Sequence, residues 1–200
     1  MDRAALVIVD MQNDFLPGGS LPVPGGDKVV ATLNRYIELF DSEGRPIIAT
    51  RDWHPAETTH FQSSGGTWPV HCVQGTSGAE FHGDLNLPDS TVVISKGMGA
   101  REDAYSGFQG SDAQGRSLAE VLRSLDVEHL YVGGVATDYC TVATALAALA
   151  EGFKVTVLLD TVRGINLKPG DIENALADMA RNGANFTTIE GIQQVIGTSA

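Results

Sequence analysis

Only two cysteines, Cys72 and Cys140, occur in 200 residues. They allow at most one disulfide, which excludes a disulfide-stapled scaffold and leaves free thiols in a reducing compartment as the default. Basic residues are also scarce: 13 Lys and Arg against 25 Asp and Glu give a formal net charge of −12. Nucleic acid and anionic membrane surfaces are themselves negative, so neither is an expected partner. Long apolar runs are missing. Ala4–Val9 stops at Asp10, and the later run over 142–150 contains Thr144; neither approaches the roughly 20 residues that a bilayer crossing requires. The first run is too short for a secretory signal, so a cytoplasmic protein is expected. No linker, repeat or low-complexity tract divides the chain, and a single domain over residues 1–200 is expected.

What is present fits an α/β protein: 42% hydrophobic residues and 23 glycines. Ala4–Val9 is continuously apolar, as a strand buried on both faces must be, and Asp10 stands at its C-terminal end. Val29, Val30, Leu33, Tyr36, Ile37 and Phe40 recur at helical spacing, with Gly44 as the stop. Strands are predicted at Pro46–Thr50, at Thr91–Ser95 running into Lys96, at His129–Val135, at Phe153–Leu159 before Asp160, and at Asn185–Ile189. Ser117 and Glu120 form a capping box ahead of Leu118, Val121, Leu122 and Leu125. Helices are predicted at Thr141–Glu151 and at Asp171–Asn182, the latter ended by Gly183. Strands alternating with helices imply right-handed crossovers and a parallel sheet.

In open parallel sheets ligands bind beyond the C-terminal strand ends. Asp10, Lys96 and Cys140 all fall at such ends, far apart in sequence and converging through topology. Each alone has an ordinary explanation: a turn residue, a solvated strand end, a packed thiol. Together they suit nucleophilic catalysis. Asp10 can take the thiol proton as general base and return it to a leaving amine. Lys96 can stabilise the ionised groups and developing charge. Cys140 follows the turn Gly133-Gly134-Val135-Ala136-Thr137 and opens an alanine-rich helix, whose N-terminus favours a thiolate. The amides of Ala136 and Cys140 can form an oxyanion hole.

The segment from Arg51 to about Gly83 is long, polar and rich in histidine and tryptophan. Loops of that length in a compact domain are usually functional or disordered, and this composition favours function. Asp52, His54, His60 and His71 supply one carboxylate and three imidazoles, a ligand set for a first-row divalent metal; zinc, iron and manganese all fit it. The plainer alternative is a set of surface histidines on a flexible loop. Phe15, Trp68 and Tyr105 are loop aromatics placed to sandwich a planar ring or simply to pack their loops. His82 and His129 read as ordinary loop and strand-start residues, and Cys72 as a small packed side chain.

Nearly the whole chain resembles the nicotinamidases of the isochorismatase-like cysteine hydrolase superfamily. The first and last blocks that carry this are Ile8-Val9-Asp10-Met11-Gln12-Asn13-Asp14-Phe15 and Gly134-Val135-Ala136-Thr137-Asp138-Tyr139-Cys140. Between them stand Asp52-Trp53-His54-Pro55, Trp68-Pro69-Val70-His71-Cys72, Lys96-Gly97 and Asp103-Ala104-Tyr105-Ser106-Gly107-Phe108. The resemblance implies a single-domain α/β/α fold with a six-stranded parallel sheet. It implies hydrolysis of nicotinamide to nicotinate and ammonia, as in NAD salvage, and deamidation of pyrazinamide. By position it implies a catalytic triad of Asp10, Lys96 and Cys140, a divalent metal held by Asp52, His54, His60 and His71, and a cis peptide at Val135–Ala136. It also implies self-association, without pointing to an interface. Two competing readings remain: a metal-free relative acting on a carbamoyl or ureido compound, and a non-catalytic metal- or ligand-binding protein of the same fold.

Overall fold

The computed structural model describes residues 3–197. Six strands form one parallel sheet in the order β3-β2-β1-β4-β5-β6: β1 (Ala4–Val9), β2 (Ile47–Asp52), β3 (Val92–Lys96), β4 (His129–Val135), β5 (Lys154–Arg163) and β6 (Asn185–Thr187). The expected sheet is therefore the one observed. Every residue of β1 is buried, which explains its unbroken apolar sequence.

Alternate residues of β1 supply two separate cores. Leu6 and Ile8 pack with Leu33, Tyr36, Ile37 and Phe40 of α1 (Val30–Ser42) on one face. Ala5, Val7 and Val9 pack on the other with α2 (Leu118–Ser124), α3 (Val142–Ala150) and Met179 of α4 (Asp171–Arg181). The result is three layers, helices on both faces of the sheet. The Ser117–Glu120 capping box starts α2 as expected.

The chain winds outward from β1 to β3 in one direction and from β4 to β6 in the other. The order reverses between β1 and β4, so a crevice opens beyond their C-terminal ends. Asp10 leaves β1 there and Ala136 leaves β4 there. Val9 pairs with both Thr50 and Gly134, and Asp52 pairs with Lys96. This register brings Asp10, Thr50, Asp52 and Lys96 to a common level along one edge.

Three local readings of the sequence need correction. The fifth strand does not end at Leu159 but runs to Arg163. Its pairing with β4 jumps from Val132–Val157 to Gly134–Val162, so an irregularity absorbs the extra residues and leaves Leu159 exposed. The last strand ends at Thr187, and Ile189 instead opens α5 (Ile189–Gly197). The Asp160 carboxylate accepts the Ile189 amide at 2.9 Å, a long-range cap that local sequence does not reveal. Cys140 is not in the first turn of α3; it lies in a wider π-helical turn, Thr137–Thr141, that precedes it.

Candidate active site

Asp10, Lys96 and Cys140 meet at the reversal point. Asp10 leaves β1 with φ +50°, a conformation uncommon for a residue with a side chain, and is fully buried. Lys96 ends β3, two strands away, and its buried side chain reaches across the end of β2. Its ammonium lies 2.8 Å from Asp10 Oδ2 and 3.5 Å from Cys140 Sγ, and it donates to Asp52 Oδ1. Thr50 donates to Asp10 Oδ1 at 2.6 Å. Ligand atoms of Asp10, Asp52 and Cys140 lie within 4.8 Å of one another.

Burial dominates the protonation of this group. It raises the Asp10 carboxyl above its ordinary range, against the opposing pull of Lys96. Burial also opposes ionisation of Asp52, but Lys96 and the imidazoles of His54 and His71 overcome it and hold that carboxyl well below the ordinary range. Lys96 stays cationic because Asp10 and Asp52 more than offset its desolvation. The Cys140 thiol is pushed well above its ordinary value, first by burial, with Lys96 acting the other way. The expectation of a helix-stabilised thiolate therefore fails: the nearby turn is short of α3, and desolvation outweighs what Lys96 contributes. A thiol beside a high-lying carboxyl suits proton transfer at the moment of attack.

Beside this group, His54, His60 and His71 offer ring nitrogens within 4.8 Å of one another. Each uses Nδ1 elsewhere: His54 on the Gly97 carbonyl at 3.0 Å, His71 on the Pro69 carbonyl at 2.7 Å, and His60 on the Asp103 carboxylate at 2.5 Å. Donation from Nδ1 leaves an Nε2 lone pair on each ring. His54 Nε2 is buried with no hydrogen-bond partner among the described residues. Asp52 Oδ2 lies 3.6 Å from His54 Nε2 and 3.8 Å from His71 Nε2. An orphaned buried nitrogen, converging imidazoles and a carboxylate are the donor set of a divalent cation, and these residues fit one.

Backbone and side-chain bonds hold the two halves together. Gln12 donates to the Asp52 carbonyl at 2.7 Å and accepts the Asp52 amide at 2.8 Å. Asp14 accepts the Cys72 amide at 2.8 Å, next to His71. Val135–Ala136 is a cis peptide, and the Ala136 carbonyl accepts the amides of Tyr139 and Thr141.

A cavity opens onto both halves. Cys140 and Ala136 line it at one side, and Asp52, His60 and His71 at another. Phe15, Trp68 and Tyr105 all line it. Trp68 donates its indole N–H to Tyr105 Oη at 2.9 Å, and Phe15 lies 5.4 Å from the His71 ring. Sequence reasoning missed Tyr139, whose ring meets Trp68 edge-on at 5.0 Å, and the apolar wall of Leu21, Val23 and Ile165. Adjacency to Cys140 was the one signal for Tyr139; nothing local marked Ile165. Mainly apolar walls with a few converging polar groups suit a small planar ligand carrying one polar substituent.

The isochorismatase domain model matches residues 4–191. The chain belongs to the isochorismatase family. Among family members, the nicotinamidase of Escherichia coli (strain K12) is 38% identical, covering 98% of this chain and all of that protein. The nicotinamidase/pyrazinamidase of Mycobacterium tuberculosis (strain ATCC 25618 / H37Rv) is 39% identical over 81% of this chain and 87% of its own. The crystal structure of the Pyrococcus horikoshii pyrazinamidase in complex with zinc superposes with a TM-score of 0.87 and 48% identity, covering 94% of this chain and 99% of that one. Within the isochorismatase family this chain thus stands with the nicotinamidases and pyrazinamidases, hydrolases of amide bonds.

Proposed function

We propose that this chain hydrolyses nicotinamide to nicotinate and ammonia, a reaction of NAD salvage, and also deamidates pyrazinamide. The observation that carries the reading is that Cys140, backed by the buried Asp10 and Lys96, lines a cavity that His60 and His71 of the imidazole cluster also line. A carbamoyl or ureido hydrolase without a metal gains nothing from three converging imidazoles, one of them with an unpartnered Nε2.

The amide enters with its ring among Phe15, Trp68, Tyr105 and Tyr139. Asp52, His54, His60 and His71 would hold a divalent ion, zinc being the first to test; when bound, it supplies a Lewis-acid contact for the ring nitrogen. Cys140 attacks the amide carbon as its proton passes to Asp10. Lys96 and the amides of Ala136 and Cys140 stabilise the oxyanion. Asp10 returns the proton to the leaving nitrogen, ammonia departs, and a thioester remains on Cys140. Water cleaves the thioester, giving the carboxylate and restoring the thiol.

Ammonia release from nicotinamide, set beside carbamoyl and ureido compounds, tests this. Turnover of nicotinamide by zinc-, iron- or manganese-loaded protein supports the reading. Turnover of only the ureido compounds, with or without metal, overturns it.

A further inference from the structure

Asp138 stands two residues before Cys140 and takes no part in the chemistry above. Its carboxylate is fully engaged by the loop that follows β5: Oδ1 accepts the Ile165 amide at 3.0 Å and Oδ2 accepts the Asn166 amide at 2.7 Å. Two consecutive amides are thus gripped by one anion, the stronger kind of hydrogen bond. The fit leaves no slack. A Cβ on Gly164 would stand 2.7 Å from Asp138 Oδ1 and 2.5 Å from Ile172 Cγ1. Asn166 has φ +55°, and its side-chain oxygen accepts the Asp171 amide at 3.1 Å, fixing the far end of the loop to the start of α4. The loop therefore has two anchors, one on α4 and one on the turn that bears Cys140.

Ile165, whose amide Asp138 holds, forms a wall of the cavity. Tyr139, next to Asp138 in sequence, forms another. One carboxylate thus fixes the spacing between two walls of the ring slot. We propose that Asp138 is a positioning residue that sets the width of the substrate slot through Ile165 and thereby selects flat, unsubstituted six-membered aromatic amides. The selectivity part rests on the amidase reading; the anchoring part does not.

The test compares wild type, Asp138→Asn, Ile165→Ala and the double variant in metal-loaded protein, with nicotinamide and a ring-methylated nicotinamide as substrates. Asparagine keeps the shape but turns an amide donor toward one backbone N–H. The expected result is a KM for nicotinamide raised about tenfold in each single variant, with kcat held within about twofold. Discrimination against the methylated ring falls in both. The double variant is no worse than the more impaired single variant, because both changes move the same wall. A fall in kcat with KM unchanged, or effects that multiply in the double variant, overturns the proposal.

Hydrogen exchange provides a readout independent of turnover. Asp138→Asn should speed exchange about tenfold in a peptide spanning residues 164–167 and leave one spanning 140–146 unchanged. Unchanged exchange at 164–167 overturns the anchor. Failure of the wild type to release ammonia counts against the amidase reading, while the exchange result still decides the anchor.

Discussion

Lys96 donates to one oxygen of Asp52, while the other oxygen of that carboxylate faces His54 and His71. A single side chain therefore joins the nucleophile's surroundings to the imidazole cluster. Lys96 also pairs with Asp10, so its removal would leave two buried carboxylates without a cation. Lys96→Ala is expected to lower stability by about 3–5 kcal/mol and to abolish ammonia release. Urea unfolding beside an ammonia assay checks both. Wild-type stability in the variant would contradict the ion-pair geometry.

Thiol reactivity should follow burial. Cys140 lines the cavity and Cys72 does not, and both thiols are pushed up by desolvation. A thiol with a raised pKa is protonated at neutral pH, and its thiolate fraction grows as pH rises. In metal-stripped protein the alkylation rate of Cys140 should therefore climb steadily between about pH 7 and about pH 9, with Cys72 far slower. Peptide mapping after iodoacetamide treatment follows each site. A plateau already reached below about pH 7 would mean a preformed thiolate.

The imidazole cluster predicts linkage between metal and stability. An ion held only by the folded protein adds about 2.7 kcal/mol at a concentration a hundredfold above its Kd. Chelation should lower the melting temperature, and zinc, iron or manganese should restore it. Asp103→Asn keeps His60 but weakens the carboxylate that orients it, so, if His60 binds the ion as proposed, metal affinity should fall about 10–100-fold. Competition with a chromogenic chelator measures this. Equal affinity in the variant would mean that His60 needs no orienting partner.

Beneath the site the backbone permits no side chain at one position. Gly134 has φ +119°, and a Cβ there would lie 2.1 Å from the Val9 carbonyl oxygen. Gly134→Ala should force β4 away from β1 and cost more than about 3 kcal/mol. Denaturant unfolding is the measurement, and a loss under about 1 kcal/mol would show that the two strands can separate freely.

The sheet was legible because buried parallel strands write themselves as unbroken apolar runs; Ala4–Val9 and His129–Val135 match the observed strands residue for residue. Asp10, Lys96 and Cys140 were legible because topology alone converges strand ends. What stayed hidden depended on contacts distant in sequence. The start of α5 rests on Asp160, 29 residues earlier. The length of β5 rests on an irregularity in its pairing with β4. Asp103 and Ile165 acquire their places only when loops separated by tens of residues close over one cavity. The protonation of Cys140 was misjudged because a helix end is a local signal, whereas desolvation comes from the whole fold.

In the proposed reaction the Cys140 sulfur breaks the amide bond. This step is tested most directly by ammonia release from nicotinamide in wild type and Cys140→Ala, with metal content measured in both. Attack by Cys140 predicts equal metal content, release by the wild type, and a loss of at least about a thousandfold in the variant. Release by the variant within about tenfold of the wild type would contradict it and give the attack to water rather than to the thiol.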